Sequence, residues 1–252
     1  MKISILVENS IGDSEYKKVC QAEWGLSFFI ETNNENILFD SGHTELYIKN
    51  AKNMGIDLDK TNHVVLSHYH WDHAKGLLYH QFTNKKELII HPDILKKIPK
   101  DDVNKYKSDF KVITSEKSYN INDNVIFLGE IPRIMDYEKG KYKDDNMLDD
   151  TAIAIKTING VVVLAGCSHS GICNICEYAK KVTGEKLYAV MGGFHLTNND
   201  VEAVKGTINY FKKESPKYLY PMHCVDFYTM AKFYNEFNIK KLGSGSVLKF
   251  EE

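Results

Sequence analysis

The run Ser67-His68-Tyr69-His70-Trp71-Asp72-His73 constrains this chain more than any other stretch. It follows an apolar run, His63-Val64-Val65-Leu66, that reads as a buried strand. It precedes Ala74-Lys75-Gly76-Leu77-Leu78, which reads as the start of a helix. A strand, a turn and a helix are therefore expected, with four metal-binding side chains in the pattern HxHxDH at the turn. His68 and His70 alternate, so they point the same way if extended geometry persists. Asp72 and His73 then turn into the helix. Imidazole and carboxylate suit zinc, iron or manganese. With ten histidines in 252 residues, a chance polar loop would not be expected to group three of them so closely.

The length allows one large domain that buries most of its apolar surface without covalent staples. A net charge of -2 argues against a nucleic-acid or membrane-surface binder. The start, Met1-Lys2-Ile3-Ser4-Ile5-Leu6-Val7-Glu8, reads as a first strand and not as a signal peptide. No apolar run approaches the length of a membrane span. The cysteines are Cys20, Cys167, Cys173, Cys176 and Cys224. An odd number without secretion signals points to reduced thiols and a cytoplasmic protein. Oligomeric state cannot be read from the sequence.

Further strands are expected at Lys2 to Val7, Leu26 to Ile30, Asn36 to Phe39 and Glu87 to His91. A helix is expected from Thr44 to Met54, stopped by Gly55. From about Pro92 to Asp145 the pattern weakens, and lysines and aspartates dominate. This stretch reads either as an insertion or lid over a site, or as a solvated irregular surface segment. Order returns at Thr151 to Ile155, and Asn159-Gly160 predicts a two-residue hairpin into Val161 to Ala165. Helices are expected over about 171–182, 200–213 and 227–237, with strands at Leu187 to Met191 and Tyr218 to Tyr220. Strands with interleaved helices in both halves predict an α/β (α+β) fold: two mixed sheets flanked by helices, in one domain spanning 1–252.

In the second half, strand ends run repeatedly into His or Cys. The three cases are Gly166-Cys167-Ser168-His169, Gly192-Gly193-Phe194-His195 and Pro221-Met222-His223-Cys224. Ligands in α/β sheets collect at the carboxyl ends of strands. Any one of these histidines alone would more often be an ordinary core or surface residue.

Asp40 in Phe39-Asp40-Ser41-Gly42, the whole HxHxDH stretch with Gly76, and His223 after the late strand together resemble the metallo-β-lactamase superfamily. The resemblance covers essentially the full length and implies an αββα sandwich. Three stretches, Gly129-Glu130-Ile131-Pro132-Arg133, Gly166 to Ile172 and Gly192 to Leu196, resemble one branch of it. Members of that branch are labelled dihydropteroate-synthase-like, or 7,8-dihydropterin-6-methyl-4-(ribofuranosyl)aminobenzene 5'-phosphate synthase.

The resemblance implies two divalent metal ions, zinc first, with manganese or iron as alternatives. It implies His68 and His70 on one ion, and Asp72, His73 and His223 on the other, with Asp40 behind the ligands. The chain departs from the superfamily pattern in two places. No histidine lies between His91 and His169, and Gly166-Cys167 stands where a bridging Asp usually ends a strand. His169 is expected to complete the first ion's ligands. Cys167 either ligates or packs as a small buried residue. Asp150 is expected to hydrogen-bond within the site. Asp72 and His195 are the candidate catalytic residues, His195 also contacting substrate. Arg133, the chain's one arginine, suggests recognition of a small anionic substrate, an ordinary surface ion pair being the alternative. Cys173-Asn174-Ile175-Cys176 falls in an expected helix, where small apolar helix residues are the simpler account than a redox pair. Trp71, between ligands, is expected to pack behind them.

The implied chemistry is a dinuclear metal-dependent hydrolase acting on a phosphoester. The branch label implies an alternative, a transferase joining a pterin diphosphate to an aminobenzene ribofuranosyl phosphate. Di-iron redox members replace the second His of HxHxDH with Glu and add a flavin domain. Here that position is His70, and the chain has no room for such a domain.

Overall fold

The computed structural model describes residues 1–138 and 140–251. The chain divides into two compact units, Met1–Glu116 with Leu242–Glu252, and Lys117–Lys241.

The first unit contains β1 (Lys2–Val7), β2 (Ser27–Glu31), β3 (Asn36–Phe39), α1 (Leu46–Asn53), β4 (His63–Val65), α2 (Trp71–Ala74), β5 (Lys86–Ile90), α3 (Ile94–Lys97), α4 (Lys100–Asp109) and β6 (Phe110–Thr114). The second contains β7 (Tyr119–Asn120), β8 (Val125–Phe127), β9 (Ala152–Thr157), β10 (Gly160–Ala165), α5 (Ile172–Thr183), β11 (Leu187–Gly193), α6 (Val201–Glu214), β12 (Tyr218–Met222) and α7 (Phe227–Phe237). The chain then returns to the first unit with β13 (Val247–Lys249).

The first unit's sheet runs β13-β1-β2-β3-β4-β5-β6. β13, β1, β2 and β3 pair antiparallel, and β3 to β6 pair parallel. Parallel neighbours need crossovers. α1 supplies one between β3 and β4, and the HxHxDH segment with α2 lies in the next. Leu38, Val64, Leu88 and Ile90 from the strands pack with Tyr47 and Ala51 of α1 and with Leu77, Ile94 and Tyr106 in one apolar cluster.

The second unit's sheet runs β12-β11-β10-β9-β8-β7. β10, β11 and β12 are parallel, with α5 and α6 as crossovers, and β10, β9, β8 and β7 pair antiparallel. All six residues of β10 are buried, as an apolar run covered on both faces should be. Val161, Val163 and Ala165 pack with Ile175 and Ala179 of α5, Phe211 of α6 and Phe233 of α7. The fold class is the expected one: mixed α/β, with two mixed sheets and helices.

The structure corrects three expectations. The segment 92–145 is not one irregular insertion, because α3, α4 and β6 build the first unit and β7 and β8 extend the second unit's sheet. The short apolar run Val125 to Leu128 is legible as the strand signal that becomes β8, whereas the lysine-rich helices and the edge strands β6 and β7 carry too few apolar residues to announce themselves. Among the described residues, the segment's longest stretch outside these helices and strands follows β8. The hairpin turn is Ile158–Asn159 and not Asn159–Gly160, since Gly160 already pairs with Thr157. The helix within HxHxDH begins at Trp71, three residues earlier than the apolar pattern suggests.

Candidate metal centre

In the first unit, β4 ends at Val65 and the chain leaves extended geometry before the histidines. His68 and His70 nevertheless bring ring nitrogens within 4.8 Å of each other, as do His68 and His73, and Asp72 and His73 likewise bring their ligand atoms within that distance. His68, His73 and Asp72 are buried and His70 is half-buried. Four metal-binding groups held this close inside a protein interior are costly to keep without a cation.

Asp40 explains how these imidazoles are aimed. Its carboxylate is fully buried. Oδ1 accepts the Ser67 N–H at 2.7 Å, and Oδ2 accepts the Ser67 hydroxyl at 2.7 Å. Oδ2 also meets His73 Nδ1 at 2.7 Å. A carboxylate cannot donate, so the proton in that contact is on His73 Nδ1. The Ser67 hydroxyl spends its one proton on Asp40, so in its 2.9 Å contact with His68 Nδ1 it accepts. Both rings are thereby set with the proton on Nδ1 and the lone pair on Nε2, the state a metal ligand requires. These tautomers follow from the hydrogen-bond network.

The loop behind the ligands is clamped at Gly76. A Cβ built there would lie 2.0 Å from the Ser41 carbonyl oxygen, so no other residue fits. Ser41 donates its N–H and hydroxyl to the His73 carbonyl at 2.8 and 3.0 Å, and its Oγ accepts the Leu77 N–H at 2.9 Å. Trp71 does not pack behind the ligands. It is 51 % exposed and sits edge-on to His43 at 4.5 Å. At the start of α2 its side chain projects away from the buried turn.

In the second unit, Cys167, His223 and Cys224 bring ligand atoms within 4.8 Å of one another. His169 is buried and packs against half-buried His195, with ring centroids 4.3 Å apart and the planes tilted by 52°. Tyr142 packs against both, at 5.1 and 5.8 Å. A cavity of about 190 Å³ opens here, lined by Lys141, Tyr142, Lys143, Ser168, His169 and His195 among others. From the 92–145 stretch, Glu138, Gly140, Lys141, Tyr142 and Lys143 border this cavity. A larger cavity, about 480 Å³, lies by α6, β12 and α7 and is lined by no histidine or cysteine.

Backbone strain collects at these positions. Asp40 (φ 56°), Ser168 (φ 56°), His195 (φ 46°) and His223 (φ 48°) all adopt the left-handed region that non-glycine residues avoid. Each follows a strand's carboxyl end, and such outliers are typical of functional sites. No sequence pattern marks them. Nor does the sequence mark the roles of Tyr142 and Ser67.

Asp150 is fully buried. Its Oδ2 accepts the Ser170 N–H at 2.9 Å and the Ser170 hydroxyl at 2.6 Å. Oδ1 is buried without a hydrogen-bond partner. Burial raises the carboxyl's pKa to about 6, against the opposing effect of the two Ser170 bonds. Asp150 thus holds the residue that follows His169.

Arg133, expected to recognise an anion, is turned to the backbone. Its guanidinium donates to the carbonyls of Ile131, Gly140, Asn146 and Met147. Four of its five N–H groups are spent on backbone, so it is a staple for the 131–147 loop and presents no fork to a substrate. Cys173 and Cys176 are buried in α5, and burial pushes both thiols up, which leaves them unreactive.

The model of the metallo-beta-lactamase superfamily matches residues 25–181, and the chain belongs to that superfamily. It is 31% identical to the 7,8-dihydropterin-6-methyl-4-(beta-D-ribofuranosyl)-aminobenzene-5'-phosphate synthase of Methanocaldococcus jannaschii, covering 99% of this chain and 97% of that protein. It is 33% identical to the uncharacterized protein MJ0448 of the same organism, over 91% of this chain and 93% of the other. Among solved structures it resembles Tm1679, a metal-dependent hydrolase of the beta-lactamase superfamily, with TM-score 0.83, 25% identity and full coverage of both chains. The fold is therefore that of a metal-dependent hydrolase, and among the described residues no helix is long and apolar enough to cross a membrane.

Proposed function

We propose that this protein is a dinuclear-metal-dependent hydrolase of a small anionic phosphoester. By the family resemblance, the ligands in this reading are His68, His70, Asp72, His73, His169 and His223. The observation that carries the reading is Asp40, which through His73 and Ser67 sets two imidazoles with their Nε2 lone pairs ready for a cation. When bound, such ions bring the pKa of water toward neutrality and neutralise charge that develops on a phosphoester.

The chain's own residues do the rest. Asp40 holds the tautomers. Lys141 and Lys143 border the 190 Å³ cavity and could pair with a negative group there, alongside Glu138 and Asp200 in the same lining. Tyr142 walls that cavity beside His195 and His169. His195, half-buried and next to the cavity, is placed to protonate a leaving oxygen.

Metal content of untagged protein by elemental analysis, with turnover of a phosphodiester and a phosphomonoester dye, tests the reading. About two zinc or manganese ions per chain with metal-dependent turnover is expected for a dinuclear site. His70→Ala is expected to lose one ion and activity, and full metal content with normal turnover in that variant would sink the assignment.

A second reading has its own support in the 31% identity to a named pterin synthase. There the same ions would neutralise a diphosphate leaving group, and an amine would take the place of water. Consumption of a pterin diphosphate that depends on the aminobenzene favours transfer, and consumption without it favours hydrolysis.

A further inference from the structure

Cys224 has no part in the ligand set above. We infer that Cys167, His223 and Cys224 together form a thiolate-rich metal site, so that the ion held by His223 is zinc or another thiophilic ion, not manganese or magnesium. The inference rests on the metal reading and names its metal class.

The three ligand atoms lie within 4.8 Å of one another. Cys167 and His223 are each 4 % exposed, and Cys224 is half-buried. In a tetrahedral site, bonds of about 2.3 Å to sulfur and about 2.0 Å to nitrogen set ligand atoms roughly 3.5–3.8 Å apart. The separations of at most 4.8 Å leave no more than about 1 Å of closure to that geometry.

The fold makes room for this cluster at one residue. Cys167 follows β10 and Cys224 follows β12, with β11 between them. β11 ends in Gly193, where a Cβ would lie 2.6 Å from Cys224 Sγ and 3.2 Å from Cys167 Cα. Any side chain at 193 would drive the two cysteines apart. The left-handed His223 turns the chain sharply just before Cys224. The His195 N–H donates to Cys224 Sγ at 3.2 Å, a dipole that complements negative charge on sulfur.

The Cys224 thiol now donates to the Cys167 carbonyl oxygen at 3.5 Å. Metal loading replaces that proton and the one on Cys167, and both pass to solvent as two sulfur–metal bonds form. Thiolates favour zinc and iron, whereas manganese and magnesium prefer oxygen donors. The other cysteines do not compete. Cys173 and Cys176 face the core of the second unit, and Cys20 packs in the first.

The test loads the metal-free full chain with cobalt(II) under reducing conditions and records its spectrum. A near-ultraviolet sulfur-to-cobalt charge-transfer band is expected in the wild type and in Cys20→Ser. The band should weaken in Cys167→Ser and in Cys224→Ser, and vanish in the double variant. Zinc affinity, measured by chelator competition, should fall at least about tenfold in each single variant, the smallest loss seen even for groups behind the ligands. Cobalt bound without the band overturns the thiolate site and leaves the metal reading standing. No binding of cobalt, zinc or manganese overturns the metal reading itself. Should the serine variants fail to fold, the wild-type spectrum alone decides.

Discussion

Asp40 Oδ2 lies 2.7 Å from His73 Nδ1, and both side chains are fully buried. The same carboxylate fixes Ser67, which in turn fixes His68. One acidic group thus decides the tautomer of two imidazoles. Asp40→Asn can keep the Ser67 N–H bond through its amide oxygen, but it puts an NH2 where Oδ2 accepts from both His73 and the Ser67 hydroxyl, and an amide nitrogen cannot accept. Affinity for the metal should drop by about 10- to 100-fold, as for other groups that orient ligands. Titration of the apo variant against a chelator of known affinity measures this. Unchanged affinity would mean that Asp40 only supports the loop.

Gly76 gives a sharper structural prediction. A methyl group there would meet the Ser41 carbonyl at 2.0 Å, and both partners are backbone. Relief would require the start of the Lys75–Tyr79 turn to move away from Ser41, breaking the Gly76 N–H bond to the Gly42 carbonyl at 3.0 Å. Gly76→Ala should therefore cost about 3 kcal/mol or more in urea unfolding, well beyond an ordinary surface substitution. Metal affinity should fall with it, since His73 is held by the same Ser41. A variant within about 0.5 kcal/mol of wild type would show that the loops separate freely.

Arg133 should behave as a staple. Lysine keeps the charge but offers one ammonium in place of a fork, and it cannot reach four carbonyls from one position. Arg133→Lys should lose about 2–4 kcal/mol of stability, given that each bond to a charged donor contributes about 1.5–3 kcal/mol and that such losses overlap. Once folded, its KM for an anionic substrate should stay close to wild type. A KM that rises steeply while the melting temperature holds would return Arg133 to the substrate.

Much of this was legible, for physical reasons. HxHxDH concentrates ligand chemistry in six positions, and the strands around it are apolar enough to declare themselves. The helix 227–237 was readable because apolar residues such as Phe233 and Phe237 recur along one face. What stayed hidden depends on three-dimensional contact. Arg133 is chemically suited to phosphate, and only the fold shows four carbonyls already around it. The stretch from α3 to β7 has too few buried side chains to give a period, although Val125 to Leu128 just after it reads as a strand. Asp and His tolerate the left-handed region better than most residues, but that tolerance alone does not mark Asp40, His195 and His223 as the positions that adopt it.

Asp150 predicts a pH dependence. Its folded pKa is raised by burial to about 6, above the ordinary value of 3.8. A raised carboxyl pKa means that the folded state holds the proton more tightly than the unfolded chain. Below about pH 4 both states are protonated and Asp150 costs nothing. As pH rises from about 4 to about 6 the unfolded chain ionises first, and stability falls. Above that window the full cost persists, of the order of 2–3 kcal/mol. Asp150→Asn can still accept from the Ser170 N–H and hydroxyl through its amide oxygen. It removes the buried charge but places an N–H₂ where Oδ1 has no partner. The metal-free variant should therefore match wild type near pH 4.5 and exceed it by about 1–2 kcal/mol at pH 8, once the unpaired amide is set against the removed charge. Urea unfolding at the two pH values measures this. A variant less stable than wild type at pH 8 would mean that the folded protein holds the carboxylate against a cation.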